Sequence, residues 1–357
     1  MEKPNKKGTV LQYSSHSSSN TSSPARVVSP NSEYQELDDF SSTGRKRPWK
    51  QKKSNSILVG DSFSRLALMY PNSDDYYTKK ANKVYDCGSY LVFQRFTDNS
   101  LKLKQAFFCR QRLCTMCNWR RSLKIFNQVS QIMDCMKIET EYEYLFLTLT
   151  IRNVDGPELK SAISDMIKGF LRLIRRTRVL KCVNGTFRAL EVTYNDKENT
   201  YHPHLHIVLA VNKSYFHDRN YISQKEWSEM WQDCMNLDYI PIVHIEKTKG
   251  DKKEAVAEVA KYATKEEDLF EMDENNEKKA IDEVIFTLDE ALKGRRLISF
   301  SGVFKDYQKK LKLQDPEDGD LIHIDEDAIR PDLQYVLETY NWRCGTYLTR
   351  KCDSETA

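Results

Sequence analysis

"FRALEVTYNDKENTYHPHLHIVLAV" (187–211) decides the fold. Its first part is rich in aromatic and β-branched residues, "NDKENT" (195–200) is a polar turn, and "HLHIVLAV" (204–211) returns as a second apolar run. This pattern predicts a long β-hairpin. Alternate residues of a strand share a face. His204 and His206 therefore point one way, while Leu205, Ile207, Leu209 and Val211 point into a core. Two imidazoles fixed two positions apart can converge on one metal ion. Glu191, on the partner strand, supplies a carboxylate and completes a three-ligand site with open positions. His202 has the same parity, but Pro203 leaves its direction open. A lone His-x-His more often decorates a strand end. The third histidine, the apolar alternate face and the facing Glu191 favour a metal site. Two histidines and a carboxylate suit Zn, Mn, Fe or Mg.

Outward from the hairpin, "SYLVFQRF" (89–96) and "AFFCRQ" (106–111) read as short strands, and "YLFLTLTI" (144–151) as a buried one. "TMCNWRRSLKIFNQVSQIMDCM" (115–136) has apolar residues at helical spacing. "ELKSAISDMIKGFLRLIRRTRVL" (158–180) is an amphipathic helix with its stripe at Ile163, Met166, Ile167, Phe170, Leu173 and Ile174. "KEWSEMWQDCM" (225–235) and "KKEAVAEVAKYATKEE" (252–267) also read as helices. The β-α-β-β-α order implies an α+β fold, an antiparallel central sheet with flanking helices.

On a helix over 252–267, Glu258, Tyr262 and Lys265 share one face, and Val256, Val259, Ala260 and Ala263 pack on the other. Tyr262 is then no simple core aromatic, although a tyrosine beside ordinary helix ion pairs has the same pattern. A phenol with pKa about 10 is ionised at pH 7 to on the order of one part in a thousand, a deficit of about 4 kcal/mol. A neighbouring lysine or metal recovers part of it by favouring the anion. Glu258 can act as a general base.

Nine cysteines at irregular spacing argue against a disulfide scaffold and fit a reducing cytoplasm. Cys109, Cys114 and Cys117 have spacing C-x4-C-x2-C, and Cys87 precedes a strand upstream. Four such thiolates can hold a tetrahedral structural Zn²⁺ in an inserted cysteine-rich subdomain. The alternative is small buried cysteines in a reduced core.

Net charge is only +3 across 357 residues, but the charges are segregated. Basic runs such as "GRKRPWKQKK" (44–53) and "RLIRRTRVLK" (172–181) are the footprint of a nucleic-acid binder. Arg120, Arg121, Arg172, Arg175, Arg176, Arg295 and Arg296 are the candidate phosphate contacts. No apolar run is long enough to span a membrane, and no secretion signal is seen. Four regions are expected: a disordered Ser-rich and basic arm over 1–55, a cysteine-rich region over 56–135, a catalytic domain over 136–310 and an acidic extension over 311–357.

Taken together, these motifs resemble the bacterial plasmid rolling-circle replication initiators, single-tyrosine members of the HUH endonuclease class. "LFLTLT" (145–150), "HPHLH" (202–206) and "EVAKYATK" (258–265) are similar to the family's three motifs, in family order. "FCRQRLCTMCNWRRSLKIF" (108–126), "LEVTYN" (190–195) and "KGRRLISFSGVFKDY" (293–307) also look family-like, so the resemblance covers about 45–345. It implies an HUH endonuclease-like fold and Mg²⁺ or Mn²⁺ at the histidine site. It also implies that Tyr262 attacks one strand at a double-strand origin, leaving a 5′-phosphotyrosyl link and a 3′-OH primer. Glu258 sits where the family's terminating glutamate activates water, and Lys265 matches the family's lysine. The implied partners are supercoiled, hairpin-extruded plasmid origin DNA, a host helicase, single-strand-binding protein and DNA polymerase, in a bacterial cytoplasm. Thr115 departs from the family, which often carries proline there. An HUH transposase or relaxase, or a non-catalytic zinc-containing DNA-binding repressor, are the competing expectations.

Overall fold

The computed structural model describes residues 33–71, 75–140, 142–248, 256, 263–324 and 333–350. The described residues fall into a large unit within Glu36–Thr349 and a small one that holds residues 33–35 and Arg350. In the small unit Arg350 pairs with Glu33 at 2.5 Å. The short strand β1 is Tyr34–Glu36.

The predicted hairpin is the centre of the large unit. β5 (Val183–Asn195) and β6 (Thr200–Asn212) pair along their whole lengths. Asn199 has a positive φ of 50° in the turn, and the Asn195 side chain accepts from the Lys197 amide at 3.1 Å, so the polar residues set the reversal. β4 (Tyr142–Thr150) pairs with β6 on one side and β7 (Val243–Lys247) on the other, and β11 (Ile298–Gly302) pairs with β5. All these pairings are antiparallel, in the order β11-β5-β6-β4-β7. A further two-residue strand, β8 (Ala263–Thr264), runs parallel to β5 beyond the end of β11, with Ala263 opposite Glu191 and Thr264 opposite Val192.

Leu205, Ile207, Leu209 and Val211 are buried as their parity requires. Helix α4 (Gly156–Ile174) buries Ile163, Met166, Phe170 and Leu173 and packs against β6 and against α6 (Gln224–Met235). The expected single helix over 158–180 is broken, because Arg176 is extended and only a short turn, α5 (Thr177–Leu180), follows it.

A second antiparallel sheet holds β2 (Tyr90–Phe96), β3 (Leu101–Ala106), β12 (Tyr335–Arg343) and β13 (Thr346–Arg350). Around it stand α1 (Trp49–Met69), α2 (Tyr76–Asp86) and α3 (Thr115–Glu139). The strand expected in "AFFCRQ" ends at Ala106, and the cysteine-bearing remainder is a loop.

Two regional expectations need correction. The basic segment 44–53 is not all a flexible arm: α1 starts at Trp49, which is buried, donates to Asp39 at 2.7 Å and packs edge-on against Phe93 and Trp119. One large apolar ring inside a charged run is enough to dock it. Residues 1–32 lie outside the described residues. The acidic 311–357 segment is no separate extension either. β12 pairs with β2 over Tyr335–Asn341, and the loop before it caps α3 through Lys124, Gln128 and Arg120, which donate to the carbonyls of Asp315, Gln314 and Leu321.

A short hairpin, β9 (Phe270–Met272) with β10 (Lys278–Ala280), leads to α7 (Asp282–Leu292), and α8 (Val303–Lys310) follows β11. Gly302 joins β11 to α8 with φ 52° and ψ −138°, a conformation essentially reserved for glycine. A Cβ there would meet the Asn184 carbonyl oxygen at 2.1 Å. Gly302→Ala is expected to lower the unfolding free energy by about 3 kcal/mol, read from urea melts. A wild-type midpoint would show that the junction can relax.

Candidate functional site

The register of the hairpin builds the site. Glu191 lies directly across from His204 and Ala189 across from His206, so all four share one face of the sheet. His204 Nε2 and His206 Nε2 each lie 2.8 Å from the same oxygen, Oε2 of Glu191. All three side chains are buried. Phe146 stacks on His206, with ring centroids 5.6 Å apart, and fixes its plane. Thr148 Oγ1 stands 3.4 Å from His206 Nδ1. Burial pushes the Glu191 carboxyl up, but the two histidine hydrogen bonds outweigh it and hold the group well below the usual carboxylate range.

These donors suit a cation. His204 Nδ1 lies 3.1 Å from the His202 carbonyl oxygen, which can only accept, so the proton of the neutral ring belongs on Nδ1. Nε2 can then meet the carboxylate only with a positive charge at the contact, either a proton on Nε2, which makes the hydrogen bond to Glu191, or a cation ligated by both. The second Glu191 oxygen, Oε1, is buried without a hydrogen-bond partner among the described residues. The 2.8 Å spacing is close to the separation of about 3 Å between adjacent donors of an octahedral Mg²⁺. A ring Nδ1 tied to a backbone carbonyl is also the usual way a metal-binding histidine is oriented. The geometry does not choose the ion. His202 is opposite Thr193 and is not among the converging donors.

The cysteines converge as well. Cys87, Cys109, Cys114 and Cys117 are all buried, with Sγ separations of 3.5 Å (87–117), 3.6 Å (87–114) and 3.7 Å (109–117). A disulfide needs about 2.05 Å, whereas a tetrahedron with Zn–S near 2.3 Å has edges of about 3.8 Å. The amides of Cys109 and Arg110 donate to the Cys87 and Cys117 sulfurs at 3.4 and 3.2 Å, with Arg110 in the left-handed region to allow it. Burial pushes the Cys87 and Cys109 thiols up. Cys117 is held down against burial by its thiol neighbours and the Arg121 charge. Thr115 is the first residue of α3, where proline is the best-tolerated alternative, and its hydroxyl donates to the Lys52 carbonyl at 2.7 Å.

The third constellation is only partly in view. Glu258 and Tyr262 lie outside the described residues. Val256 is helical, but Ala263 and Thr264 form β8 and Lys265 is exposed just after it, so the single helix expected over 252–267 is corrected. The shared helical face drawn between positions 262 and 265 does not hold across an extended pair. β5 offers an edge beyond the end of β11, and pairing with it overrides the local helix propensity.

The arginines divide. Arg120 and Arg121 are buried and donate to the carbonyls of Leu321, Ile322, Glu317, Gln111 and Arg110. They brace the fold and offer no surface to a phosphate, which corrects that expectation. Arg172 donates to the Cys234 carbonyl, Arg176 to Asp233 at 3.4 Å, Arg295 to Ser164 Oγ at 2.8 Å, and Arg296 to Asp315. Arg175 is exposed at the end of α4.

One residue of this site escaped the sequence reading. Asp268 accepts from the Tyr194 amide at 3.0 Å, and its carboxyl is raised by burial. It sits in the acidic run 266–277, which reads as a solvated face, and nothing local marks it.

The replication protein family model Rep_1 matches residues 100–348. A "Protein rep" of Bacillus amyloliquefaciens is 40% identical over 322 residues, 84% of this chain and 93% of the relative. One of Streptococcus pneumoniae serotype 2 (strain D39 / NCTC 7466) is 39% identical over 297 residues, 82% of this chain and 88% of the relative. A third, from Bacillus sp, is 43% identical over 279 residues, 73% of this chain and 90% of the relative. No solved structure matches. Among the described residues no helix is long and apolar enough to cross a membrane.

Proposed function

The chain belongs to the replication protein family, and on that premise we propose that it is an HUH-type plasmid rolling-circle initiator. It nicks one strand of the double-strand origin through Tyr262. The observation that carries this reading is the pairing of Ala263 with Glu191. The residue bonded to Ala263 is Tyr262, and consecutive Cα atoms are about 3.8 Å apart. That register brings the chain that immediately follows Tyr262 alongside Glu191, which supports the reading.

When bound there, a divalent cation such as Mg²⁺ or Mn²⁺ supplies Lewis-acid polarisation of the phosphodiester. The chain's own groups do the rest. The Tyr262 oxygen bonds to phosphorus and its proton passes to solvent water. The bond from phosphorus to the 3′ oxygen breaks, and that oxygen takes up a proton from solvent water to give the 3′-OH primer. The strand's 5′ phosphate stays on the tyrosine. At termination Glu258 takes a proton from the water that completes the final cut. Lys265 stands close in sequence to stabilise the phenolate. Arg172, Arg175, Arg176, Arg295 and Arg296 are proposed to contact phosphates, and Zn²⁺ is proposed for the cysteine cluster. Extending the primer calls for a host helicase, single-strand-binding protein and polymerase in the bacterial cytoplasm.

The test is incubation with the supercoiled replicon that carries the gene, in Mg²⁺ or Mn²⁺. Nicked circles with protein bonded to a 5′ end are expected. Binding without nicking would favour a repressor and overturn the proposal. In Glu258→Gln the first cut should persist, while release at termination falls roughly 10²-fold or more. Normal termination in that variant would assign the water to another group.

A further inference from the structure

β8 is two residues long, and so short a pairing does not hold a segment in place by itself. Two side chains just beyond it do. Asp268 ties the segment back to β5 through the Tyr194 amide. Glu266 ties it to α1, in the other sheet's surroundings. The Lys52 ammonium pairs with one Glu266 oxygen and the Asn55 amide donates to the other. Lys278 Nζ donates to Asn55 Oδ1 at 3.2 Å, which fixes the orientation of that amide. Lys52 and Glu266 are each 20% exposed, so the pair is largely shielded from solvent.

The same turn of α1 is bonded to the cysteine cluster. The Lys52 carbonyl accepts from Thr115, which lies between Cys114 and Cys117. Lys53 is buried and donates to the carbonyls of Tyr85 and Cys87 at 2.6 and 2.8 Å. A continuous set of hydrogen bonds therefore runs from the cysteine cluster through Lys52 to Glu266, two residues past the strand registered with Glu191.

We propose that Glu266 is a positioning residue for the nicking reaction, holding β8 beside Glu191 through Lys52 and Asn55 and so making the cysteine module part of the catalytic geometry. This rests on the initiator reading given above. A misplacement of about 1 Å at a reacting group can cost on the order of 10²-fold in rate, which is the effect expected of releasing this clamp.

The test uses the full chain carrying Glu266→Ala, Lys52→Met, or the charge swap Lys52→Glu with Glu266→Lys. Three quantities are read: single-turnover nicking of the supercoiled replicon in Mn²⁺, affinity for the same DNA, and amide hydrogen exchange over 263–268. In the single variants nicking should fall roughly 10²-fold, with DNA affinity unchanged and exchange over 263–268 faster. The swap should recover roughly tenfold of the loss. Lys52→Met leaves the Glu266 segment intact and gives the same readout should Glu266→Ala fold poorly. Wild-type nicking in both single variants overturns the inference, as does a matched fall in rate and affinity that the swap does not restore. If Tyr262→Phe still nicks, the nucleophile assigned in the initiator reading has failed. If Tyr262→Phe is inert while Glu266→Ala is fully active, only the positioning role has.

Discussion

Replacing Tyr262 by phenylalanine is expected to abolish nicking, a loss on the order of 10⁴-fold or more, while DNA binding is retained. The substitution removes one oxygen and keeps the ring, so packing is spared and the nucleophile alone is lost. The phenol is a poor nucleophile at neutral pH, and on the proposed reading a cation held by Glu191, His204 and His206 would favour its anion. The residue that follows the tyrosine, Ala263, pairs with Glu191. The measurement is transfer of a labelled 5′ phosphate to the protein, run beside conversion of supercoils to nicked circles. Persistent transfer in the variant would move the nucleophile elsewhere.

The second large effect is expected from Cys114→Ser with Cys117→Ser. Serine is a poor zinc ligand, since its hydroxyl does not ionise near neutral pH as a thiol does. Structural zinc contributes an apparent 10–16 kcal/mol in small zinc-finger peptides, roughly the whole stability of a typical domain. The variant should lose bound zinc, and the region built on α1, α3 and β2 should no longer unfold cooperatively. Buried thiols without metal make a different forecast: about 1–3 kcal/mol for each unsatisfied hydroxyl and no change in metal content. Elemental analysis together with urea melts separates the two. Unchanged zinc would remove the metal from the account.

How much of this was legible beforehand follows from how local each signal is. The β5–β6 hairpin reads directly, because alternation and a polar turn are local and together fix the register that sets Glu191 opposite His204. The cysteines read through spacing, with Cys87 recruited across a longer gap because it ends the element before β2. The buried arginines did not read. Arg120 and Arg121 belong to a basic run, and the distant loop around Glu317–Ile322, together with the Arg110 and Gln111 carbonyls for Arg121, turns them inward. The helix over 252–267 was extended too far because Ala, Glu and Lys favour helix locally, while the competing strand edge on β5 is remote in sequence. Trp49 shows the converse, a single apolar ring that the surrounding charge concealed.

The pairing of β12 with β2 also has a consequence for biosynthesis. The Tyr347 hydroxyl donates to the Gly88 carbonyl at 2.6 Å, next to Cys87. The Trp342 amide donates to the Ser89 carbonyl at 2.9 Å, so the last strands close directly over the start of β2. About 240 residues separate the paired strands, and a ribosome adding 5–20 residues per second needs roughly 10–50 s to cover them. During translation the cysteine region therefore waits, its sheet incomplete, until the hairpin of β12 and β13 emerges. A prematurely terminated chain would carry the histidine triad but lack the strand that seals β2.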